Sequence, residues 1–349
     1  MAKSDLVRIK YLIEDLWQWK KPVRIMEVCG SHTMVIGKYG IRSLLPPSIE
    51  LISGPGCPVC VTPASFIDAL LTLKNVTIAT FGDLIRVPGI NGTLEQARAA
   101  GLDVRIVYSP LEALKIASTR ETVFAGIGFE TTIPGIAHTL LEAQRLKLHN
   151  FSVLPAFKTI PPALKALLST DNIAIDGFIL PGHVSVITGS AAYQFLVDDF
   201  HTGGVIAGFE PITLLQTIKD IISQLKRGIP MIENAYKEVV SIQGNIPAQN
   251  IIRKVLQPED AYWRGLGKIP ASGLGIKEEF AQFNAIRKYD LQITETEMPS
   301  GCRCGDVLKG FIKPPQCPLF ATTCHPAHPL GPCMVSSEGS CAAYYKYER

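Results

Sequence analysis

Residues 23–32 read VRIMEVCGSH and residues 49–60 read IELISGPGCPVC. Each stretch is a short apolar run that ends directly in glycine, proline, cysteine or histidine. Runs of this kind are typical of strands buried on both faces of a parallel sheet. Because ligands bind at the carboxyl ends of such strands, the residues behind the two runs predict a functional site there.

The same pattern continues along the chain to about residue 240. The predicted strands are 23–28, 49–53, 76–81, 104–108, 122–127, 151–157, 177–180 and 204–207. The amphipathic segments between them are 63–73, 94–100, 133–146, 162–168, 185–200 and 212–226. This alternation indicates parallel sheets covered by helices. We expect two small doubly wound sheets, with a single (β/α) barrel as the alternative because eight strands also suit that fold.

We therefore predict an α/β protein with two doubly wound parallel-sheet domains, 1–120 and 121–240, and a separate cysteine-rich domain at 241–349. Residues 245–300 are expected to be helical and loop-like. The segment from Gly301 to Cys341 has little periodicity, so covalent or metal bonds are expected to order it. Apolar residues from Leu6 to Leu16 fall at helical spacing, and this helix is a candidate to pack on the cysteine-rich domain.

Composition narrows the class of protein. The 349 residues are 47% hydrophobic and 19% charged, which is too apolar for a disordered chain. The formal net charge of +3 comes without a long basic run, so the sequence predicts no nucleic-acid partner. No apolar run reaches the ~18 residues of a membrane span, and the start does not resemble a signal peptide. We expect a cytoplasmic protein that is not bound to a membrane.

Nine cysteines in a reducing compartment are more often metal ligands, redox pairs or nucleophiles than structural disulfides. Six of them lie close together near the end of the chain: Cys302, Cys304, Cys317, Cys324, Cys333 and Cys341. These thiols could hold an iron–sulfur cluster or zinc, or remain plain thiols, although the paired C-x2-C of many zinc sites is absent. His325 and His328 beside Cys324 are read as a proline-rich turn rather than as ligands.

Two cysteine motifs follow the first two predicted strands. Cys57 and Cys60 have the C-x-x-C spacing of redox and metal sites, and a helix that starts behind them would lower the pKa of one thiol. Cys29 is a single thiol with His32 three residues further on. The pair is a candidate nucleophile and base, or a soft metal ligand with a proton donor, and a buried inert cysteine is the alternative.

Titratable residues also end other predicted strands. His183 follows 177–180, and Asp83 follows 76–81. Gly-Phe-Glu occurs twice, so that Glu130 and Glu210 occupy equivalent places after their strands. A lone histidine can simply satisfy a backbone group, but in this company His183 and the carboxylates are candidates for proton transfer.

Together these motifs resemble the HypD family of [NiFe]-hydrogenase maturation proteins. The resemblance extends over nearly the whole chain. The matching segments are MEVCGSHT (26–33), SGPGCPVCVTP (53–63), FGDLIRVPG (81–89), GIGFETT (126–132), LPGHVSVITG (180–189), VIAGFEP (205–211), GCRCGDVLKG (301–310) and GSCAAY (339–344).

The resemblance implies a scaffold that binds iron together with a small chaperone, HypC, while two cyanides and one carbon monoxide are attached. It implies that cyanide comes from a thiocarbamate carried by HypE, with HypF upstream, and that the Fe(CN)2CO group then passes to the hydrogenase large subunit. It also implies two α/β domains and a third domain with a [4Fe-4S] cluster.

Residue by residue, the resemblance makes Cys29 the ligand of the iron being assembled, and Cys57 and Cys60 a thiol/disulfide pair beside it. The segment with the six clustered cysteines, called the tail below, resembles ferredoxin:thioredoxin reductase, in which a redox disulfide lies beside a cluster. On that similarity Cys304 and Cys333 form the redox pair. The implied cluster ligands are Cys302, Cys317, Cys324 and Cys341.

Two other functions remain alternatives at the level of sequence. A stand-alone disulfide reductase of the ferredoxin:thioredoxin type would use the tail and the Cys57/Cys60 pair but has no use for Cys29 and His32. A structural zinc protein with a small-molecule pocket would be colourless, whereas a cluster gives a brown protein.

Overall fold

The computed structural model describes residues 3–295 and 299–349. Eleven strands lie within these residues: β1 (Val23–Glu27), β2 (Ile49–Ser53), β3 (Thr77–Thr80), β4 (Val104–Ile106), β5 (Thr122–Gly128), β6 (Phe151–Phe157), β7 (Gly177–Pro181), β8 (Gly203–Ala207), β9 (Ile232–Asn234), β10 (Leu256–Trp263) and β11 (Gly267–Ile276).

Helices connect and cover these strands. The α-helices are Lys3–Leu16, Gly30–Lys38, Ile41–Leu44, Pro58–Val61, Ala64–Thr72, Leu94–Ala99, Pro110–Ala117, Ile133–Arg145, Ile160–Leu168, Gly182–Thr188, Phe195–Asp198, Pro211–Arg227, Ile246–Val255, Ala285–Lys288, Cys304–Leu308, Pro332–Val335 and Ser340–Tyr347. Short 3-10 helices are Gly82–Leu84, Ser190–Tyr193, Glu278–Phe283 and Pro314–Gln316.

Nine of the strands form two open parallel sheets. The first has the order β2-β1-β7-β8-β9, and the second has the order β4-β3-β5-β6. Every residue of β5, β6, β7 and β8 is buried, which is why these strands read as continuous apolar runs. Apolar clusters cover both faces of each sheet. The eight predicted strands and the doubly wound sheets are confirmed, and the barrel alternative is wrong.

Strand pairing corrects the predicted division of the chain at residue 120. β1 pairs with β7, so the first sheet combines strands from the beginning of the chain with strands that follow residue 176. The four strands between them form the second sheet. Alternation of strands and helices predicts how many strands form, but it does not say which strands are neighbours. The chain leaves the first sheet after β2 and returns to it at β7.

The segment predicted as helical and loop-like contains a long antiparallel hairpin, β10–β11. Gly265 lies in its turn and Gly267 begins β11, with φ of +76° and +79°. The hairpin packs on β6 and on the helix Ile160–Leu168. Residues 296–298 of the predicted segment lie outside the described residues. The prediction also missed β9, and its single helix 185–200 is three short helices.

The first helix, Lys3–Leu16, packs on the helix Pro211–Arg227. Its Leu12 and Leu16 are buried with Val23 in the core on one face of the first sheet. This packing replaces the predicted contact with the cysteine-rich segment. None of the helices in residues 3–295 and 299–349 has both the length and the apolar character needed to cross a bilayer.

The cysteine-rich segment, residues 301–349, docks on the first sheet and its loops. The helix Ser340–Tyr347 packs on Gly30–Lys38, and Pro332–Val335 packs on Pro58–Val61. Arg24 of β1 donates to the carbonyl of Gly310, and Lys313 pairs with Glu50 of β2 at 3.0 Å. These contacts bring the tail cysteines to the edge of the sheet where β1 and β2 end.

Candidate functional site

Cys29 occupies the N-cap position of the helix Gly30–Lys38, two residues after the end of β1. Its sulfur lies at the N-terminus of this helix and makes no side-chain capping hydrogen bond within the described residues. Burial, assisted by the negative charges of Glu338 and Glu27, raises the pKa of this thiol to about 12. The side chain is 8% exposed. Cys29 is therefore a protonated thiol in a site where binding of a metal cation would release the proton.

The loop between β2 and Cys57 lies directly on the backbone of Cys29. The backbone N–H of Gly30 donates to the carbonyl of Gly56 at 3.0 Å. A Cβ atom on Gly56 would overlap the backbone nitrogen of Cys29, so only glycine permits this approach. The two motifs that follow β1 and β2 are thus one site, because their strands are neighbours in the sheet.

Cys57 and Cys60 are both buried and joined by a disulfide. Cys57 is the N-cap of the helix Pro58–Val61, and its sulfur accepts from the N–H of Cys60 at 3.2 Å. The hydroxyl of Ser336, in the tail, lies 3.5 Å from the same sulfur. The pair therefore contacts the cysteine-rich segment and directly follows Gly56, which lies on the backbone of Cys29.

Two histidines flank Phe209 beside the Cys29 helix. The ring of His183 stacks on Phe209 at 4.0 Å, and the ring of His32 lies 5.0 Å from it on a tilt. His32 is fully buried, its Nε2 lies 3.1 Å from the Gly208 carbonyl, and burial lowers its pKa to about 4. A neutral ring that donates through Nε2 leaves Nδ1 as an acceptor, and Nδ1 has no partner among the described residues.

Sequence reasoning missed Glu338, which accepts a 2.7 Å hydrogen bond from the hydroxyl of Ser31. Its charge also acts on Cys29, Asp83 and His183. Desolvation by the surrounding protein, and then Glu338, raise the pKa of Asp83. One sequence signal was available, because Glu338 is the only acidic residue between Asp306 and Glu348.

The two Gly-Phe-Glu carboxylates have different surroundings. Glu130 is buried, and its Oε1 accepts from the N–H of Ile160 at 2.9 Å. Its Oε2 has no partner in the described part of the chain. Burial raises the pKa of the Glu130 carboxyl group to about 7. Its charge acts on the buried Tyr193, on which Cys29 also acts. Glu210, in contrast, is exposed at the start of the helix Pro211–Arg227 and does not cap that helix.

All six tail cysteines line one small cavity. The other residues of its wall are Val307, Leu319, Phe320, Gly331 and Met334. The thiol of Cys304 is within hydrogen-bonding reach of the thiols of Cys302 and Cys333. An apolar cavity lined by six sulfurs is a donor set that fits an iron–sulfur cluster.

His325 and His328 do not line this cavity. Their backbones exchange hydrogen bonds across a tight turn, and Nδ1 of His328 lies 3.2 Å from the carbonyl of Thr323. This is the proline-rich turn that the sequence predicts. Across residues 3–295 and 299–349, no group of three or more His, Cys, Asp or Glu side chains stands in position to hold a single metal ion.

Fold and site together define a doubly wound α/β protein in which one buried thiol, a disulfide and a six-cysteine cavity are packed side by side. The family model HypD, described as "Hydrogenase formation hypA family", matches residues 5–348. The chain belongs to the HypD family of hydrogenase maturation factors.

Named relatives agree with this assignment. The chain is 45% identical to "Hydrogenase maturation factor HypD" of Escherichia coli (strain K12), over 95% of this chain and 90% of that protein. It is 44% identical to the factor of the same name from Rhodobacter capsulatus, over 99% and 95%. It is also 42% identical to "Putative hydrogenase expression/formation protein MJ0993" of Methanocaldococcus jannaschii, over 100% and 98%.

Proposed function

We propose that this protein is a scaffold on which the Fe(CN)2CO group of [NiFe] hydrogenase is assembled, together with a HypC-type chaperone. HypE would deliver the cyanide, with HypF upstream, and the finished group would pass to the hydrogenase large subunit. The iron is the cargo of this reaction, and Cys29 is its anchor on the chain.

One observation carries the proposal: the loops that follow β1 and β2 and the tail meet at Cys29. Gly56 lies on its backbone, Ser336 touches the sulfur of Cys57, and Glu338 bonds Ser31. A simple disulfide reductase needs the last two contacts but gives no reason for a buried thiol at a helix N-cap. A scaffold uses all of them, because a soft thiolate is a suitable anchor for low-spin ferrous iron.

Proton handling falls to the groups around the anchor. Binding iron at Cys29 would release the thiol proton, and the unpartnered Nδ1 of His32, three residues further along the chain, is a candidate acceptor. His183, Asp83 and Glu338 form an outer set of titratable groups through which protons can reach solvent. Glu130, which like Cys29 acts by its charge on the buried Tyr193, is a candidate on the buried side.

Electrons would come through the tail. Cys302, Cys317, Cys324 and Cys341 would hold a [4Fe-4S] cluster, which when bound supplies electrons one at a time from an external one-electron donor. Cys304 and Cys333 would form the neighbouring redox pair. They lie with Cys57 and Cys60 in the same buried cluster.

Thiol–disulfide exchange between the two cysteine pairs conserves electrons and protons. The Cys304/Cys333 dithiol gives two electrons and two protons to the Cys57–Cys60 disulfide. The products are a Cys304–Cys333 disulfide and a Cys57/Cys60 dithiol.

Infrared spectroscopy of the protein purified without oxygen with its HypC-type partner tests the scaffold role. We expect cyanide and carbon monoxide bands in the wild-type complex and their loss in Cys29→Ala. The brown colour and iron of the tail should remain in that variant. Bands of equal intensity in Cys29→Ala would overturn the role of Cys29. A wild-type protein that reduces disulfides but never isolates with a partner would favour the reductase.

Thiol trapping tests the redox role of Cys57 and Cys60. We expect both thiols to react with an alkylating agent after reduction and neither to react after oxidation. In the competing reading the two sulfurs are permanent ligands of the same iron as Cys29. Six-coordinate iron with three diatomic ligands and a partner thiolate has too few positions for that. Protection from alkylation only when iron is bound would support the ligand reading.

A further inference from the structure

Arg264 lies at the turn of the β10–β11 hairpin, directly behind the helix that carries Cys60. Its backbone N–H donates to the carbonyl of Val61 at 2.7 Å, and its Nε donates to the carbonyl of Thr62 at 3.0 Å. The residue is 6% exposed. A buried cation therefore holds the carboxyl end of the Pro58–Val61 helix.

The same turn touches the cysteine-rich segment. Gly265, with φ of +76°, is in backbone contact with Gly305, where a Cβ atom on Gly265 would overlap the Cα. Gly305 follows Cys304 in the chain. The guanidinium charge of Arg264 acts first on Cys304 and then on Cys333 and Cys302. Arg264 thus lies between the Cys57/Cys60 disulfide and the cysteine cavity.

The guanidinium of Arg264 is incompletely satisfied. Nη2 is buried and has no hydrogen-bond partner in the described residues. An arginine has five N–H donors, and burying its charge is costly unless an anion or acceptor compensates. The charge acts most strongly on Cys304 and Cys333 of the proposed redox pair, and then on Cys302 of the proposed cluster ligands and on the carboxylate of Asp68. An anionic sulfur centre in that cavity would supply the missing acceptor and a negative charge in addition to that of Asp68.

We propose that Arg264 is a positioning residue that gives a hydrogen bond and a countercharge to the sulfur centre of the cavity while it holds the Cys60 helix in place. This inference rests on the proposed function, because it needs a cluster bound by the tail. Charge and hydrogen bonds to sulfur set the potential of such a centre, and a nearby cation favours the more negative, reduced state. Arg264 therefore raises the reduction potential of the centre.

A redox titration of the whole protein, purified with its cluster and without oxygen, tests the inference. The variants are Arg264→Gln, which removes the charge, and Arg264→Lys, which keeps the charge without a donor at Nη2. Lys268→Gln is the matched control, because Lys268 is a half-exposed cation of the same hairpin paired with Asp260. Iron content and thermal unfolding are measured on each protein.

In Arg264→Gln we expect iron to be retained and the one-electron reduction constant of the cluster to fall about tenfold, or ~59 mV. Arg264→Lys should lie between it and the wild type, and Lys268→Gln should match the wild type. If Arg264→Gln loses its iron, the reduction potential of the cluster in Arg264→Lys decides. A value equal to that of the wild type would then overturn the inference. A wild-type protein without iron would overturn the proposed redox centre, whereas iron with an unchanged potential in Arg264→Gln overturns the role of Arg264 alone.

Discussion

The loops behind β1 and β2 and the tail cavity hold sulfur in different ways. Cys29 and Cys57 are helix N-caps that follow strands within two and four residues, so the sheet fixes the place of both sulfurs, and the N–H of Cys60 also donates to the sulfur of Cys57. The tail cysteines are spread over short helices and turns between residues 302 and 341. The sheet itself positions the sulfurs of the first site, whereas the order of the tail cavity is expected to depend on the group that it binds.

The largest effect is expected at the first site. Cys29→Ala should lower hydrogenase maturation by roughly 100-fold or more, since removing even an outer partner of a metal ligand costs about 10–100-fold. The fold should change little, because only one sulfur atom is removed. Hydrogenase activity in cells that carry the variant as their only copy measures the effect. Full hydrogenase activity with Cys29→Ala would contradict the view that the region behind β1 and β2 is the site on which maturation depends most.

The next effect concerns the dependence of the tail on its bound group. Replacing one of the four proposed cluster ligands with alanine should remove the iron and expose residues 301–341 to protease. Those ligands are Cys302, Cys317, Cys324 and Cys341. Cys304→Ala and Cys333→Ala serve as matched controls within the same cavity and should keep the iron. Iron analysis of the six variants decides. Loss of iron in a control, with retention in a proposed ligand, would show the assignment to be wrong.

A third effect is pH-dependent and tests the buried carboxylate beside β5. Burial raises the pKa of Glu130 from 4.5 to about 7. Below pH 4.5 this carboxyl is protonated in the folded and the unfolded chain, so it does not lower the free energy of unfolding. As the pH rises from 4.5 to about 7, the unfolded chain releases the proton while burial holds it in the folded protein, so the free energy of unfolding falls. Glu130→Gln should raise the free energy of unfolding by about 2–3 kcal/mol at pH 8 and by little at pH 4.

Denaturant unfolding at the two pH values measures this gain, and Glu210→Gln at the exposed equivalent position is the control. An equal gain at both pH values would mean that the charge of Glu130 is not the cause.

The smallest expected effect tests the contact between the two regions. Ser336 of the tail lies 3.5 Å from the sulfur of Cys57 and can donate to it when that sulfur leaves as a thiolate. Ser336→Ala should slow reduction of the Cys57–Cys60 disulfide by about twofold, in keeping with one weak hydrogen bond. Ser337→Ala is the matched control because Ser337 is exposed. Stopped-flow reduction by a dithiol measures the rate, and equal rates would separate Ser336 from the redox pair.

The sequence by itself determined the elements and most of the chemistry. Buried parallel strands must be apolar along their whole length, so β1 to β8 could be read from the chain, and the reactive residues behind β1 and β2 could be placed at a common edge. The six tail cysteines could likewise be grouped by their closeness in sequence.

Tertiary structure decided what local patterns do not encode. Pairing of β1 with β7 interleaves the two sheets, because hydrogen bonding between distant strands leaves no periodic signal. Glu338 and Arg264 reach the sulfur sites only through docking of the tail and the hairpin. Single charged residues in irregular segments look alike in sequence, and burial beside a thiol is what distinguishes them.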